Sequence, residues 1–210
     1  MILLALPPLA VVAYKWINPP LTVPIGWEFL TGKSPKQTWI TLDRISPALI
    51  AGATMSEDAQ FCRHNGIDWE SLQGSIEAVR DGERARGAST IPMQTVKNLF
   101  LSQSRSYVRK VFEIPLALWA DLVLGKRRIL EIYLNIAEFG PSLYGAEAAA
   151  RSLFGKPASD LSRSEAARLA TALPNPKARD AARPSRRHAR LARRVEGRIR
   201  AAEPWLDCLS

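Results

Sequence analysis

Apolar residues return every three or four positions along most of this chain, the period of helices that bury one face. The pattern sets in around Ser46, where Ile45, Leu49, Ile50 and Ala53 predict a helix running up to Glu57. Trp69, Leu72, Ile76 and Val79 make a second apolar stripe, which ends in the polar run DGERARGAST. Further helices are predicted after Thr90 and from near Ser106. In the latter, VFEIPLALWADLVLG is apolar enough for a central core helix, and Pro115 is expected to bend it or remove a backbone bond. KRRILEIYLNIAEFG then places Ile129, Ile132, Tyr133 and Ile136 on one face. Ser162 and Glu165 have capping-box spacing at the head of SEAARLATAL, and Pro174 and Pro176 stop that helix. Convincing strands and repeats are missing from the pattern, so the chain reads as mainly α.

The N-terminal stretch follows a different rule. MILLALPPLAVVAY carries no charge before Lys15, yet it is shorter than the about 20 apolar residues of a spanning helix. It also lacks the basic leader and small-residue cleavage site of a signal peptide. Pro7 and Pro8 are better tolerated in a membrane helix than in a soluble one. The expectation is an N-terminal membrane anchor over 1–16, with a truncated start left open, against the alternative of a buried core segment. Pro19, Pro20 and Pro24 then predict an extended connector over 17–38. The main folded domain is expected over 39–180, and a basic helical segment over 181–210.

Composition adds a partner of definite sign. The 210 residues hold 29 Lys and Arg against 20 Asp and Glu, a net charge of +9. That excess fits nucleic acid, anionic lipid or a phosphorylated substrate. Nine arginines between Arg179 and Arg200 crowd the C-terminal stretch. The two cysteines, Cys62 and Cys208, form no CxxC and have no cluster of histidines beside them, which argues against structural zinc. A disulfide in an oxidising compartment is left open, with two unrelated thiols as the preferred expectation.

Four segments concentrate the chemistry: EDAQFCRHNG from Glu57, GASTIPMQTVKN from Gly87, RKVFE from Arg109 and KRRILEIYLN from Lys126. Glu57 and Asp58 are adjacent, so on a helix they point in different directions and need not share a role. Phe61, His64 and Gly66 follow within two turns. Ser89 or Thr90 is placed to cap a helix whose first turn holds Pro92. Thr90, Gln94, Lys97 and Asn98 then share one face, a polar stripe suited to sugar hydroxyls and phosphate. Arg109 and Glu113 are four apart and can pair, and Glu113 borders the most apolar stretch, so a buried ion pair is expected. Lys110, Lys126, Arg127 and Arg128 are expected to face water.

In that order the motifs resemble the peptidoglycan glycosyltransferases of glycosyltransferase family 51, over about Trp39 to Pro176. The anchor, and the lack of any transpeptidase domain, resemble its monofunctional members. The resemblance implies a mainly α, lysozyme-like catalytic head with a small membrane-proximal jaw. It implies polymerisation of lipid II into β-1,4-linked glycan with release of undecaprenyl diphosphate, on the periplasmic side of a bacterial inner membrane. By it Glu57 is the general base and Glu113 a second essential carboxylate. Asp58, Phe61 and His64 complete the motif of the base, and Ser89, Thr90, Gln94, Lys97, Asn98 and Arg109 line the donor site. It implies a divalent cation, Mg or Mn, held mainly by the substrate diphosphate; no dedicated metal-ligand cluster and no organic cofactor are expected. Expected partners are lipid II, the nascent glycan, the membrane and other cell-wall synthesis or division proteins, not nucleic acid. One departure stands out: Pro92 and Met93 replace a small polar residue and a glutamine of the family pattern.

Two other functions compete. A lytic glycan hydrolase would also use two carboxylates, but has no need of the cations around Lys97 and Arg109. A basic binding module would use HARLARRVEGRIR, with Leu191, Val195 and Ile199 on one side. No nucleic-acid motif accompanies it.

Overall fold

The structure, a computed structural model, describes residues 2–83, 87–101, 107–201 and 206–209. Helix α1 is Ile2–Ala13, α2 Val23–Leu30, and strand β1 Lys36–Gln37. Then come α3 (Pro47–Glu57), α4 (Trp69–Arg80), α5 (Ile91–Phe100) and α6 (Tyr107–Ile136). Strands β2 (Glu138–Gly140) and β3 (Leu143–Tyr144) precede α7 (Ala146–Phe154), α8 (Arg163–Ala172) and α9 (Arg186–Ile199). Short 3₁₀ turns lie at Leu42–Arg44, Ala158–Asp160 and Asp207–Leu209. The helical start expected near Ser106 lies outside the described residues, as does part of the polar run before Thr90.

Local chemistry sets several boundaries as expected. Thr90 caps α5, its Oγ1 accepting from the Met93 amide at 3.3 Å, with Pro92 in the first turn. Ser162 and Glu165 form both halves of the capping box on α8. Ile129, Ile132, Tyr133 and Ile136 of α6 are all buried, and α5 lies along them through Ile91 and Val96. A second, smaller cluster joins Ala51 of α3 to Ala167 and Ala170 of α8 and to Val195 and Ile199 of α9. The C-terminal helix therefore spends its apolar side on the body of the fold. Its arginines 186, 187, 190, 193, 194 and 198 remain exposed.

Pro115 sits inside α6 and removes a backbone bond there, while the helical path itself breaks further on at Gly125, where φ is 73° and ψ 166°. Other expectations fail, each for a tertiary reason. The expected absence of strands gives way to a small sheet in the order β1-β3-β2. β1 runs parallel to β3 with Lys36 opposite Leu143, and β2 is antiparallel to β3. Strands of two and three residues are too short to show a period of two. The Trp69, Ile76 and Val79 stripe of α4 faces outward, each residue more than half exposed, and only Leu72 reaches the core. Finally, Cys62 and Cys208 are not separate thiols: they form a disulfide with Cα atoms 5.5 Å apart, 146 positions apart in sequence.

The N-terminal segment docks onto α6. Trp119 Nε1 donates to the Pro8 carbonyl at 3.1 Å, and Arg128 donates to the carbonyls of Tyr14 and Ile17. Tyr14 stacks on Phe100 with centroids 6.1 Å apart. Among the described residues no helix is long and apolar enough to cross a membrane. Further along, the buried Asn135 substitutes for strand pairing: its side chain accepts from the Ile40 amide (2.9 Å) and donates to the Ile40 carbonyl (2.8 Å). These bonds hold the chain leading into α3 against α6.

Candidate active site

Helix α3 ends at Glu57, and its end is pinned from two sides. The Asp58 amide donates to the Thr54 carbonyl at 2.8 Å, which closes the last turn. The buried Asp58 carboxylate then accepts from the Ile91 amide (2.8 Å), the first residue of α5, and pairs with His64 Nε2 (2.9 Å). Asp58 thus braces the backbone, while Glu57 on the neighbouring direction faces the space between α3, α5 and α6. Adjacent acids take separate roles, as their helical geometry requires.

Gly66 closes this brace. Its φ is +83°, and a Cβ there would stand 2.9 Å from the Ala117 carbonyl oxygen of α6. Its own carbonyl accepts from Thr90 Oγ1 at 2.6 Å. Only a residue without a side chain lets the loop, the start of α5 and α6 meet at this point. Phe61 is fully buried beneath the loop, with Lys126 Nζ 5.0 Å from its ring centroid, so it supports the site from the core.

The Glu57 carboxylate has two unlike oxygens. Oε2 accepts from Gln94 Nε2 at 3.0 Å, whereas Oε1 is buried with no hydrogen-bond partner among the described residues. Gln94 is held in turn, its Nε2 also donating to the Ser89 carbonyl (3.3 Å) and its Oε1 accepting from Tyr133 (3.4 Å). Burial raises the Glu57 carboxyl above the ordinary carboxylate range, opposed by the Gln94 bond and by the charges of Arg179 and Lys97. A carboxylate moved toward neutrality, with one free oxygen, is suited to taking a proton.

A cationic recess lies on the other side of α5, lined by Ser89, Gln94, Lys97, Arg109, Lys110 and Glu113. Glu113 is 1% exposed and pairs with both Arg109 and Lys110, the latter at 2.9 Å. Lys110 Nζ also donates to Ser89 Oγ at 2.8 Å. The expectation that Lys110 faces water is therefore wrong, because the buried Glu113 needs more than one cation to satisfy it. Lys126 is likewise drawn inward, onto Asp121 (2.7 Å) and the His64 carbonyl (2.5 Å), and Arg128 onto Glu131. Arg127 is the exposed one, pairing with Asp43. Burial, with the charges of Arg109 and Lys97, holds the Lys110 ammonium down to about 8. Burial also lowers Lys97, aided by Arg109 and opposed by Glu57. Two or three crowded, partly desolvated cations mark a place for a polyanion.

Gln94 and Lys97 are walls of this recess and also of a cleft of about 700 Å³. Asn98 and Tyr133 line that cleft too, and it runs on to Glu28, Glu138 and Tyr144. The structure thus brings Gln94, Lys97 and Asn98 to one opening and Ser89, Arg109 and Glu113 to the other, with Glu57 hydrogen-bonded to Gln94 between them. Thr90, Asp58, Phe61 and His64 stay behind them as supports. Sequence reasoning missed Lys110 in the recess, Tyr133 and Arg179 near the base, and Glu28 and Glu138 in the cleft. The helical spacing of Lys110 and Glu113 was legible as a pair, but the others come together only through tertiary packing. Among the described residues no three His, Cys, Asp or Glu side chains form a metal-holding group, and Glu113 is already committed to two cations. The described residues do not fit a protein-held metal.

Comparison with known proteins gives one consistent answer. Residues 26–200 match the family described as Transglycosylase. The chain is 54% identical to the "Biosynthetic peptidoglycan transglycosylase" of Rhizobium meliloti (strain 1021) over 171 residues, covering 81% of this chain and 72% of that protein. The protein of that name from Rhodopseudomonas palustris (strain TIE-1) is 50% identical over 202 residues, 96% of this chain and 85% of its own length. That from Agrobacterium fabrum is 47% identical over 209 residues, 99% and 92% of the two chains. With the motifs in order and a match over most of its length, this chain belongs to the transglycosylase family.

Proposed function

We propose that this protein is a peptidoglycan glycosyltransferase that polymerises lipid II into β-1,4-linked glycan, releasing undecaprenyl diphosphate in cell-wall synthesis. One observation carries the mechanism: Glu57 is hydrogen-bonded to Gln94, and Gln94 and Lys97 are walls both of the cleft and of the recess rich in cations. Glu57 removes the proton from the acceptor 4-hydroxyl as that oxygen attacks the anomeric carbon, a contribution of about 10²–10⁴-fold. The bond to the diphosphate breaks on the opposite face, which gives inversion from the α-linked donor. Lys97, Arg109 and Lys110 stabilise the charge that gathers on the leaving diphosphate, and Glu113 holds the last two in place. A Mg or Mn ion would be carried by the diphosphate and not by the protein's own side chains. A glycan-cleaving enzyme, acting on a neutral polymer, would have no use for this recess.

The membrane is the setting this reading requires. We place the enzyme at the bacterial inner membrane as a single-pass protein, its catalytic domain periplasmic and its N-terminal segment serving as the anchor. Exposed Trp69, Ile76 and Val79 on α4, with Val111, Phe112, Trp119 and Leu122 on α6, support an apolar contact with lipid near the jaw. The disulfide supports an oxidising compartment. Other cell-wall synthesis or division proteins are the expected neighbours.

Detergent-solubilised protein with labelled lipid II tests the assignment. Polymer from the wild type and none from a folded Glu57→Gln variant is the expected result. Turnover retained by Glu57→Gln would remove that residue from the base role, and glycan fragments from sacculi without polymer would favour the lytic activity. Lys97→Ala and Arg109→Ala should weaken donor use; unchanged donor kinetics in both would refute the diphosphate site.

A further inference from the structure

The arginine face of α9 takes no part in the reaction derived above. Residues 177–200 hold ten Lys and Arg against two acids, Asp180 and Glu196. Arg186, Arg190, Arg194 and Arg198 follow one another at four-residue spacing, with Arg187 and Arg193 beside them, and all six are exposed. His188, Ala192, Val195 and Ile199 take the opposite side and are buried. The six guanidinium groups thus share one face over about 18 Å of helix. Like charges at this spacing repel, and Arg186 and Arg187 also lie at the positive end of the helix dipole. No acid among the described residues forms an ion pair with any of the six. The helix gains nothing from these charges, so they point to an anion outside the chain.

Two hydrogen bonds set the start of α9 beside the cleft. Thr171 of α8 shares one with His188 Nε2 through its hydroxyl (2.9 Å), and its carbonyl accepts another from Arg179 Nη1 (2.6 Å). Lys177, two residues before Arg179, lines the cleft and is exposed. Arg183 is exposed as well, its amide donating to Asp180 Oδ1 at 3.1 Å. Cations therefore lead from the cleft wall through Lys177, Arg179 and Arg183 into the arginine face. That face is separate from the apolar surface. The exposed large apolar side chains among the described residues lie on α1, α2, the connector between them, α4 and α6. None lies on α9, nor on α3 and α8, against which α9 packs. This placement favours an anionic polymer in water over a bilayer.

We propose that the arginine face of α9 is a product track, binding peptide carboxylates on the glycan strand as that strand leaves the cleft past Lys177. This rests on the reading of the chain as a polymerase of lipid II. Each repeat of that polymer carries a short peptide with free carboxylates, so the strand is a spaced polyanion. Guanidinium meets carboxylate through two parallel N–H···O bonds. Each exposed pair is weak, but pairs repeated along one strand reinforce each other through effective concentration. The track holds the strand near the cleft between additions and so lengthens the product. Its arginines touch no reacting atom and leave the rate of each addition to the cleft.

The test uses the full chain in detergent and soluble, uncross-linked glycan strands, either with their peptides or with the peptides removed by an amidase. Peptide-bearing strands are expected to bind. Binding should weaken about tenfold when Arg186→Glu, Arg190→Glu and Arg194→Glu are combined, and about threefold when the same three become Gln. Strands without peptides should bind wild type and both triple variants alike. With lipid II, the triple variants should make shorter polymer at an unchanged initial rate. Strand binding unchanged by both triple variants, or unchanged by removal of the peptides, overturns the track. So does a loss confined to vesicles containing phosphatidylglycerol, which would assign the face to lipid. Binding of peptide-bearing strands that needs these arginines, in a protein forming no polymer, upholds the track and overturns the polymerase reading alone.

Discussion

Gly66→Ala is the substitution whose cost follows most directly from the geometry. The left-handed φ of +83° costs a residue with a side chain about 1–2 kcal/mol. The new methyl would also stand 2.9 Å from the Ala117 carbonyl oxygen and 3.1 Å from the Leu118 Cα, both backbone atoms of a packed helix. Forcing such contacts costs about 1–3 kcal/mol more. A total of about 2–5 kcal/mol is a large share of the about 5–15 kcal/mol that holds a domain folded. The displacement would also reach the chemistry. Ala117 lies one turn after Glu113 on α6, and Thr90, which donates to Gly66, opens α5 ahead of Gln94. Guanidinium denaturation of the oxidised protein measures the first effect, and polymer yield from lipid II the second. Gly74→Ala is the control: it lies inside α4 with nothing within 4 Å of its added methyl, so it should stabilise by about 0.5–1 kcal/mol. Full activity and a stability within about 0.5 kcal/mol of wild type for Gly66→Ala would refute the packing argument.

Cys208→Ser opens a loop of 146 residues; chain entropy puts the loss at about 5 kcal/mol, with roughly 2–5 usual for native bridges, and denaturation with and without reductant reads it. A loss under about 1 kcal/mol would show that the bridge constrains little. The pH profile of kcat/KM should rise with a midpoint above 4.5 as Glu57 ionises, and fall near 8 as Lys110 loses its proton; Lys110→Arg should move only the alkaline limb upward. Because burial raises the Glu57 carboxyl, its ionisation opposes folding above that shifted value. Glu57→Gln should therefore melt above wild type at pH 7, with the gain shrinking as pH falls from the raised value toward 4.5 and gone below it, and an equal Tm at both extremes would refute it.

The helices and much of the site were readable because both depend on spacing within one segment. Glu57 and Asp58 pointed apart, Thr90 capped α5, and Arg109 met Glu113, each from a rule spanning a few residues. What could not be read depends on which distant segments meet. The stripe on α4 has the period of a buried helix, yet nothing in a period says whether protein or another apolar medium covers it. The helix break went to Gly125 and not Pro115, since α6 absorbs the missing amide while glycine permits a positive φ. Glu28 and Glu138, 110 positions apart, share a cleft only through the packing of α2 and the sheet.

The bridge between Cys62 and Cys208 also fixes an order of events. Cys62 lies five residues after Glu57, while its partner is added 146 residues later. During synthesis the loop beside the base carries a reactive thiol until the chain reaches residue 208. A chain arrested short of that point can form α3 and α5, but its thiol stays open to sulfurs of other proteins. Closure of the bridge therefore records that residue 208 has been made and docked: a thiol-specific label that reacts at Cys62 marks chains in which the segment around Cys208 has not yet come home.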